Sequence, residues 1–422
     1  MSSILTNNGA MVALQTLKSI NSDLGKTQSM ISTGKSVASA KDNSAVWAIS
    51  KVMESDVKGF KAISESLSLG ESTVAVARNG AEKITDLLND IKGKIISANE
   101  ENFDGEKLQT DLSALRDQIG SITGAAQFNG LNLLDNTESG DLADALKNIG
   151  SGNVNILSSL DRGADGSVKS SSITAGKQDL GLGASEFSAA TGIAATALAV
   201  SGAAAANGGS ATITIAGDDA AARLENKVIA GDSYRLTSAS LGTTANVDYV
   251  ARDGDTLVDI AKGLQANLAF QIESDGLGGE NGLSVSRDGA VLTLTNNSTA
   301  AVTAAGAVGT GGKVGGGLEL LGKVDVSTLD GARASLAAFE SMIQTAVGAA
   351  ASFGSVEGRI EIQSNFVSSL SDSLKSGIGA LVDANMEEAS ARLQALQVQQ
   401  QLGVQSLSIA NQAPQSILSL FR

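Results

Sequence analysis

Two Gly-Lys-Ser/Thr triplets come nearest to a chemical signature: Gly25-Lys26-Thr27 and Gly34-Lys35-Ser36. A phosphate loop needs one more Gly, five residues before the second, in a turn that follows a strand. Those positions hold Ile20 and Ser29 in a helical pattern, so chance is the better reading. Gly309-Thr310-Gly311-Gly312-Lys313 fails as well, because Val314 follows the Lys, and it reads as a linker. Acidic turns at Asp218-Asp219, Asp253-Gly254-Asp255 and Glu273-Ser274-Asp275 lack calcium-loop spacing and its terminal Glu. Asp and Gly are ordinary turn residues, and solvated turns explain these segments. Glu387 and Glu388 are neighbours on a helix and face different directions, which rules out an acid/base pair.

The inventory removes most remaining chemistry. The chain has 422 residues, no His and no Cys. Without His it lacks the commonest general base and metal ligand. Without Cys it lacks disulfides, thiolate nucleophiles and zinc-thiolate sites. No cluster of Ser, Lys and Asp pairs a nucleophile with a base. No catalytic, metal or cofactor-binding residue is therefore assigned, and a protein that is not an enzyme is expected. A net charge of −15 argues against nucleic acid and anionic membrane partners. No apolar run approaches the ~18 residues of a membrane span. The first residues, Met1-Ser2-Ser3-Ile4-Leu5, lack the basic start and apolar core of a secretory signal.

What the sequence does contain is helical periodicity at both ends. Phe60, Ile63, Leu67, Val74, Ala77, Ala81, Ile84, Leu88, Ile91 and Ile95 step by three and four, with Gly70 interrupting. Such a seam marks a helix packed lengthwise on others. It lies on a helix expected over residues 44–99. A second seam starts with Leu336, Phe339, Ile343, Ala346, Ala350 and Phe353. It continues through Val356, Ile360, Val367, Leu370, Leu374, Ile378 and Leu381, with a register shift near Phe353. Ahead of the first seam, Ala10, Ala13, Leu17, Ile20, Leu24 and Ile31 share one stripe, while Val12 and Leu14 fall outside it. Behind the second, Met386, Ala389, Leu393 and Leu396 form a stripe, and Leu402, Leu407, Ile409 and Ile417 spread to other faces. A helix apolar on several sides expects several neighbours. A shorter helix is expected over 106–126, with Leu108, Leu112, Leu115, Ile119 and Ile122 on one face and Asn129-Gly130 turning the chain after it.

Composition shifts to Gly, Ala, Ser and Thr between about residues 181 and 322. Alternating segments at 212–215, 233–237, 247–250, 283–286 and 291–294 read as strands. Leu257, Ile260, Ala261, Leu264 and Leu268 read as one helix capped by Thr256. The expected fold class is mainly α with an α+β insertion: terminal helices in a coiled coil and a long-helix bundle with a β-hairpin region, and a solvent-facing central domain.

Several motifs resemble bacterial flagellins, over about residues 1–175 and 325–422. Ser39-Ala40-Lys41-Asp42-Asn43-Ser44-Ala45 is similar to that family's inter-shell connector, and Gln127-Phe128-Asn129-Gly130 to its turn. Ala410-Asn411-Gln412-Ala413-Pro414-Gln415 through Leu418-Ser419-Leu420-Phe421-Arg422 resembles its terminus. The resemblance implies three domains: 1–43 with 385–422 lining an inner tube, 44–180 with 323–384 as a long-helix bundle, and 181–322 as a variable outer domain. It implies subunit packing through Leu17, Leu24, Ile31, Leu393, Leu396, Leu407, Leu420, Phe421 and Arg422, and a connector at Lys41, Asp42 and Asn43. The implied function is a self-assembling filament subunit for swimming, secreted by type III export to the extracellular flagellum. Implied partners are further copies, an export chaperone, and hook-associated junction and cap proteins. Sensed members carry an Arg-x-Arg-Glu-Leu stretch for the animal toll-like receptor. Asp90-Ile91-Lys92-Gly93-Lys94 stands there, so poor receptor recognition is expected. A hook–filament junction protein is the nearest alternative. A surface adhesin is another, with Tyr234 and Tyr249 of the insert as stacking residues.

Overall fold

The seam of apolar residues on the long helix is the feature around which the chain builds. In the computed structural model, residues 7–98, 104–136, 152–163, 167–190, 197–201, 203–216, 228–238, 246–252, 254–279 and 281–420 are described. Helix α1 is Asn8–Thr33, α2 Ser44–Ala98 and α3 Gly105–Ala125. Helix α4 is Leu257–Ser274, α5 Leu329–Val382 and α6 Met386–Leu420. The chain divides into two compact units, residues 1–65 with 365–422, and residues 66–364.

In the second unit the α2 seam is fully buried: Leu67, Val74, Ala77, Ala81, Ile84, Leu88, Ile91 and Ile95. Each large aliphatic side chain buried this way contributes about 1.5–3 kcal/mol. Gly70 does not break the register. It occupies the seam position itself, and a Cβ there would lie 2.6 Å from Ile156. Ile156 belongs to a hairpin of β3 (Asn153–Arg162) and β4 (Val168–Gly176), so the glycine makes room for a strand side chain. Gly80 does the same for Leu134, 2.8 Å from its would-be Cβ. Antiparallel ion pairs fasten α2 to its neighbours: Arg78–Glu357 at 2.6 Å and Lys92–Glu340 at 2.7 Å to α5, and Lys94–Asp111 at 2.8 Å to α3.

The register shift expected near Phe353 is absent. Phe339, Met342, Ala346, Ala349, Phe353, Val356 and Ile360 are buried in unbroken alternation of three and four. Met342 and Ala349 fill positions assigned by sequence to Ile343 and Ala350, which are half-buried. Apolar residues stand side by side at both places, Met342 beside Ile343 and Ala349 beside Ala350, so apolarity alone does not fix which one faces the core.

Asn129 and Gly130 have φ of 51° and 80° and join β1 (Gln127–Phe128) to β2 (Leu131–Asn132). Positive φ at both loop residues makes this a type I′ turn. In the insert, β5 (Leu198–Ser201), β6 (Ala203–Ala204), β7 (Gly209–Ile215), β8 (Ser233–Thr237) and β9 (Asn246–Val250) precede α4. After it come β10 (Leu283–Asp288), β11 (Val291–Asn296), β12 (Val302–Thr303) and β13 (Ala305–Gly309). One sheet runs β10-β11-β7-β5 and another β13-β8-β9, all antiparallel. Helix α4 starts in a complete capping box, Thr256 with Asp259, and buries Ile260, Leu264 and Leu268 in the insert core.

The glycine run at 309–317 is not a linker. Gly316 donates to Gly183 O and Leu318 to Gly181 O, and bridges join Lys313 to Glu186 and Thr310 to Ala190. Cβ atoms on Gly315, Gly316 and Gly317 would strike main-chain atoms of residues 179–185, and one on Gly312 would strike the Ser233 hydroxyl. The chain entering the insert and the chain leaving it are thus zipped backbone to backbone, and only glycine permits that approach.

Candidate functional site

With no His, no Cys, and no metal-binding cluster among the described residues, the site to examine is a packing surface. It lies on the first unit, where α1 and α6 pair antiparallel. Asn7 caps α1, its Oδ1 accepting from Ala10 N at 3.0 Å, while its Nδ2 donates to Ala410 O at 2.8 Å. Further along, Gln400 Nε2 donates to Asn21 Oδ1 at 2.7 Å. Between these, a Cβ on Gly403 would lie 3.2 Å from Leu17. The missing side chain lets the two helices approach.

The seam is a strict heptad on both helices. On α1 it is Ala10, Ala13, Leu17, Ile20, Leu24, Thr27 and Ile31, half-buried except for the buried Thr27. The Thr27 hydroxyl donates to Asp23 O at 2.9 Å, which satisfies it inside the helix. On α6 it is Ala389, Leu393, Leu396, Gln400, Gly403, Leu407 and Ala410, with Ala389 and Leu396 buried. Of the expected packing residues, Leu17, Leu24, Ile31, Leu393, Leu396 and Leu407 all lie in this intrachain seam. Leu407, assigned by sequence to another face, belongs to it. The Leu420 side chain, Phe421 and Arg422 fall outside the described residues. Thr27, Gln400 and Gly403 were not legible as seam members by apolarity, although their spacing from Leu24 and Leu396 was.

The opposite faces carry large apolar residues in the open. Met11, Val12 and Leu14 on α1 are 59%, 64% and 58% exposed, and Val398, Leu402, Val404 and Ile409 on α6 are 54–69% exposed. A contiguous face of this kind marks an interaction surface.

The connector is ordered by its own hydrogen bonds. Gly34 ends α1 in the left-handed conformation, φ 69°. Ser36 N–H and its hydroxyl both donate to Val382 O, and Ala384 N–H donates to Gly34 O, so the two crossing segments pair. Asp42 Oδ2 accepts from the Ser39 N–H and hydroxyl, each at 2.9 Å. Those bonds, the backbone one foremost, hold its carboxyl below the usual range. Asn43 accepts from Val46 N–H at 3.2 Å and starts α2. Lys41 is exposed.

Sequence comparison bears directly on what these faces serve. The bacterial flagellin N-terminal helical region matches residues 4–139, and the bacterial flagellin C-terminal helical region matches residues 336–421. Flagellin A of Rhizobium meliloti is 35% identical over the full length of both chains, and flagellin B of the same organism is also 35% identical over both full lengths. The chain belongs to the bacterial flagellin family. Among solved structures, the junction protein FlgL of Legionella pneumophila shares 10% identity, covering 74% of this flagellin and 99% of its own chain, at a TM-score of 0.32. That likeness is too loose to favour the junction alternative.

The second unit of this flagellin holds one polar pocket of about 540 Å³ beside the neck of the insert. Arg252 is its buried centre. Nε donates to Asp179 Oδ2 at 3.0 Å and Gly315 O at 3.1 Å, and Nη1 to Tyr249 OH at 2.8 Å. Tyr249 OH donates to Asp255 Oδ2 at 2.7 Å, and beside it Asn267 Nδ2 donates to Glu319 Oε1 at 2.9 Å and to Asp248 O at 2.8 Å. Burial opposes the Arg252 charge, but Tyr249, Asp179, Asp255 and Glu319 around it outweigh that and keep it cationic. The network is self-satisfied and joins the insert to its neck. Tyr234 and Tyr249 are 3% and 6% exposed, which removes both as sugar-stacking residues.

Proposed function

We propose that this chain is the structural subunit of a flagellar filament, and that copies associate through the outer faces of α1 and α6 rather than through the seam between them. One observation carries the reading: large apolar side chains stand exposed on both terminal helices of a flagellin. Met11, Val12, Leu14, Val398, Leu402, Val404 and Ile409 would make the contacts between copies. Leu17, Leu24, Ile31, Leu393, Leu396 and Leu407 hold the pair that presents them, and Leu420, Phe421 and Arg422 would add contacts between copies. Contacts of one face on a different face give an open helix, to which copies add without end, where the rotation between neighbours does not close a ring.

The same reading divides the chain into three parts: 1–43 with 385–422 as the inner packing domain, 44–180 with 323–384 as the bundle, and 181–322 as the outer domain. Lys41, Asp42 and Asn43 sit where inner and outer shells would join. The protein works outside the cell, not as an enzyme, and reaches its place by type III export with a chaperone. Junction and cap proteins bound the filament it forms.

The test is a double substitution, Val12→Asp with Leu402→Asp. Monomer helicity stays unchanged, because both positions face away from the seam, and electron microscopy finds no filaments after salt-induced polymerisation. Normal filaments from this variant would refute the assignment. Leu396→Asp, by contrast, breaks the intrachain pair and lowers helicity itself.

Poor toll-like receptor recognition belongs to the same proposal. Asp90 reverses a charge, Gly93 presents no side chain, and Lys92 and Lys94 are engaged by Glu340 and Asp111. Losing anchors of that kind removes most binding energy at a hot spot. Reporter cells given depolymerised protein should respond weakly, and a response equal to that of a sensed flagellin contradicts the claim.

A further inference from the structure

Asn-Gly steps are where polypeptides age chemically. The amide nitrogen of the Gly attacks the Asn side-chain Cγ, closing a five-membered imide and expelling ammonia. Water then opens the ring at either carbonyl, leaving aspartate or isoaspartate. The step needs only water, a free attacking N–H, and a backbone that can bring that nitrogen to Cγ. This chain has five such steps: Asn8-Gly9, Asn79-Gly80, Asn129-Gly130, Asn207-Gly208 and Asn281-Gly282.

The structure treats the five differently. Asn79-Gly80 lies mid-way along α2, where the Gly N–H is spent in the helix and the residue is buried. Gly208 N–H donates to Asn296 O at 2.7 Å, and Gly282 N–H to Gly279 O at 3.1 Å. Asn8 and Gly9 form the first turn of α1, where the Gly9 N–H is also without an acceptor, but the Asn7 cap holds Asn8 at helical ψ, far from the about −120° that attack needs. Gly130 stands apart. Among the described residues no carbonyl accepts its N–H, Asn129 and Gly130 are both exposed, and nothing lies within 4 Å of a Cβ placed on Gly130.

Rotating the central peptide of a type I′ turn gives the type II′ backbone, a minor state of this loop because type II′ prefers Gly at the first position, where Asn129 stands. That flip carries ψ of the first loop residue to about −120°, as the mirror of a type II turn requires. At that ψ the Gly nitrogen faces the Asn Cγ. The hairpin therefore offers the attack geometry without unpairing Phe128 from Leu131.

We propose that Asn129 is the principal site of spontaneous deamidation in this protein, a built-in ageing position at the β1–β2 turn. Isoaspartate there inserts a methylene into a two-residue loop. The register Gln127↔Asn132 is then lost, and with it the Asn132 bond to Thr123 O.

The test incubates the full chain, folded, at mildly alkaline pH in heavy-oxygen water and follows all five sites by tandem mass spectrometry. Asn129 should convert faster than Asn207 and Asn281 by about fivefold or more, the factor set by the net worth of one backbone hydrogen bond. In strong urea the five rates should converge. Equal rates in the folded chain, a faster site elsewhere, or an Asn129 lead that survives urea would each overturn the proposal.

Discussion

At Gly70 the α2 seam has no side chain because Ile156 already fills the space. Gly70→Ala should therefore lower stability by about 1–3 kcal/mol from overpacking, less the ~1 kcal/mol that Ala adds to a helix. Gly93 sits in the same helix with nothing within 4 Å of its would-be Cβ, so Gly93→Ala should raise stability by about 0.5–1 kcal/mol. Denaturant midpoints decide, and Ile156→Ala should rescue the first variant. Shifts of the same sign in both would show that helix propensity alone governs. From sequence, Gly70 reads only as an interruption. The partner that gives it meaning is 86 positions away in sequence (156 − 70) and on a strand, beyond the reach of any local pattern.

At the scale of elements, long periodic helices were legible almost to the residue. Strands with β-branched residues, such as 212–215 within Gly209–Ile215, were legible too. The Ala- and Gly-rich strands Ala203–Ala204 and Ala305–Gly309 were not, because their side chains carry too little hydrophobic contrast to reveal a period of two. The zipped neck was missed for the same reason: glycine signals flexibility unless a second backbone is known to lie against it. The hydrogen bonds that order residues 34–43 were not legible in the motif there. Asp42 has a depressed folded pKa, so its contribution is fully present above the unfolded value of 3.8 and fades as pH falls through the folded one. Amide exchange at Ser39 should accelerate across that acid window, and Asp42→Asn should flatten the dependence. An unchanged acid response in that variant would place the effect on another group.

For the whole molecule, the balance is between a net charge of −15 and apolar faces that seek company. Like charge on every copy opposes association, and salt screens it, with a Debye length of ~30 Å at 0.01 M and ~8 Å at 0.15 M. The protein concentration needed for polymerisation should fall over that range, as turbidity or sedimentation would show. A requirement that rises with salt would mean that ion pairs, not apolar faces, drive growth. Composition announced this scale best, because charge and the lack of His and Cys are properties of the chain as a string. Which faces of α1 and α6 remain open depended on which seven positions each gives to the other, and that is set only when they meet.

The neck has a practical corollary. Because the strand going into the outer module and the strand coming back lie side by side, the scaffold perceives the module as a single point of attachment. Any foreign domain whose own termini adjoin can be grafted there without stretching either long helix. A lineage is thus free to exchange the module wholesale while the long helices keep their pattern.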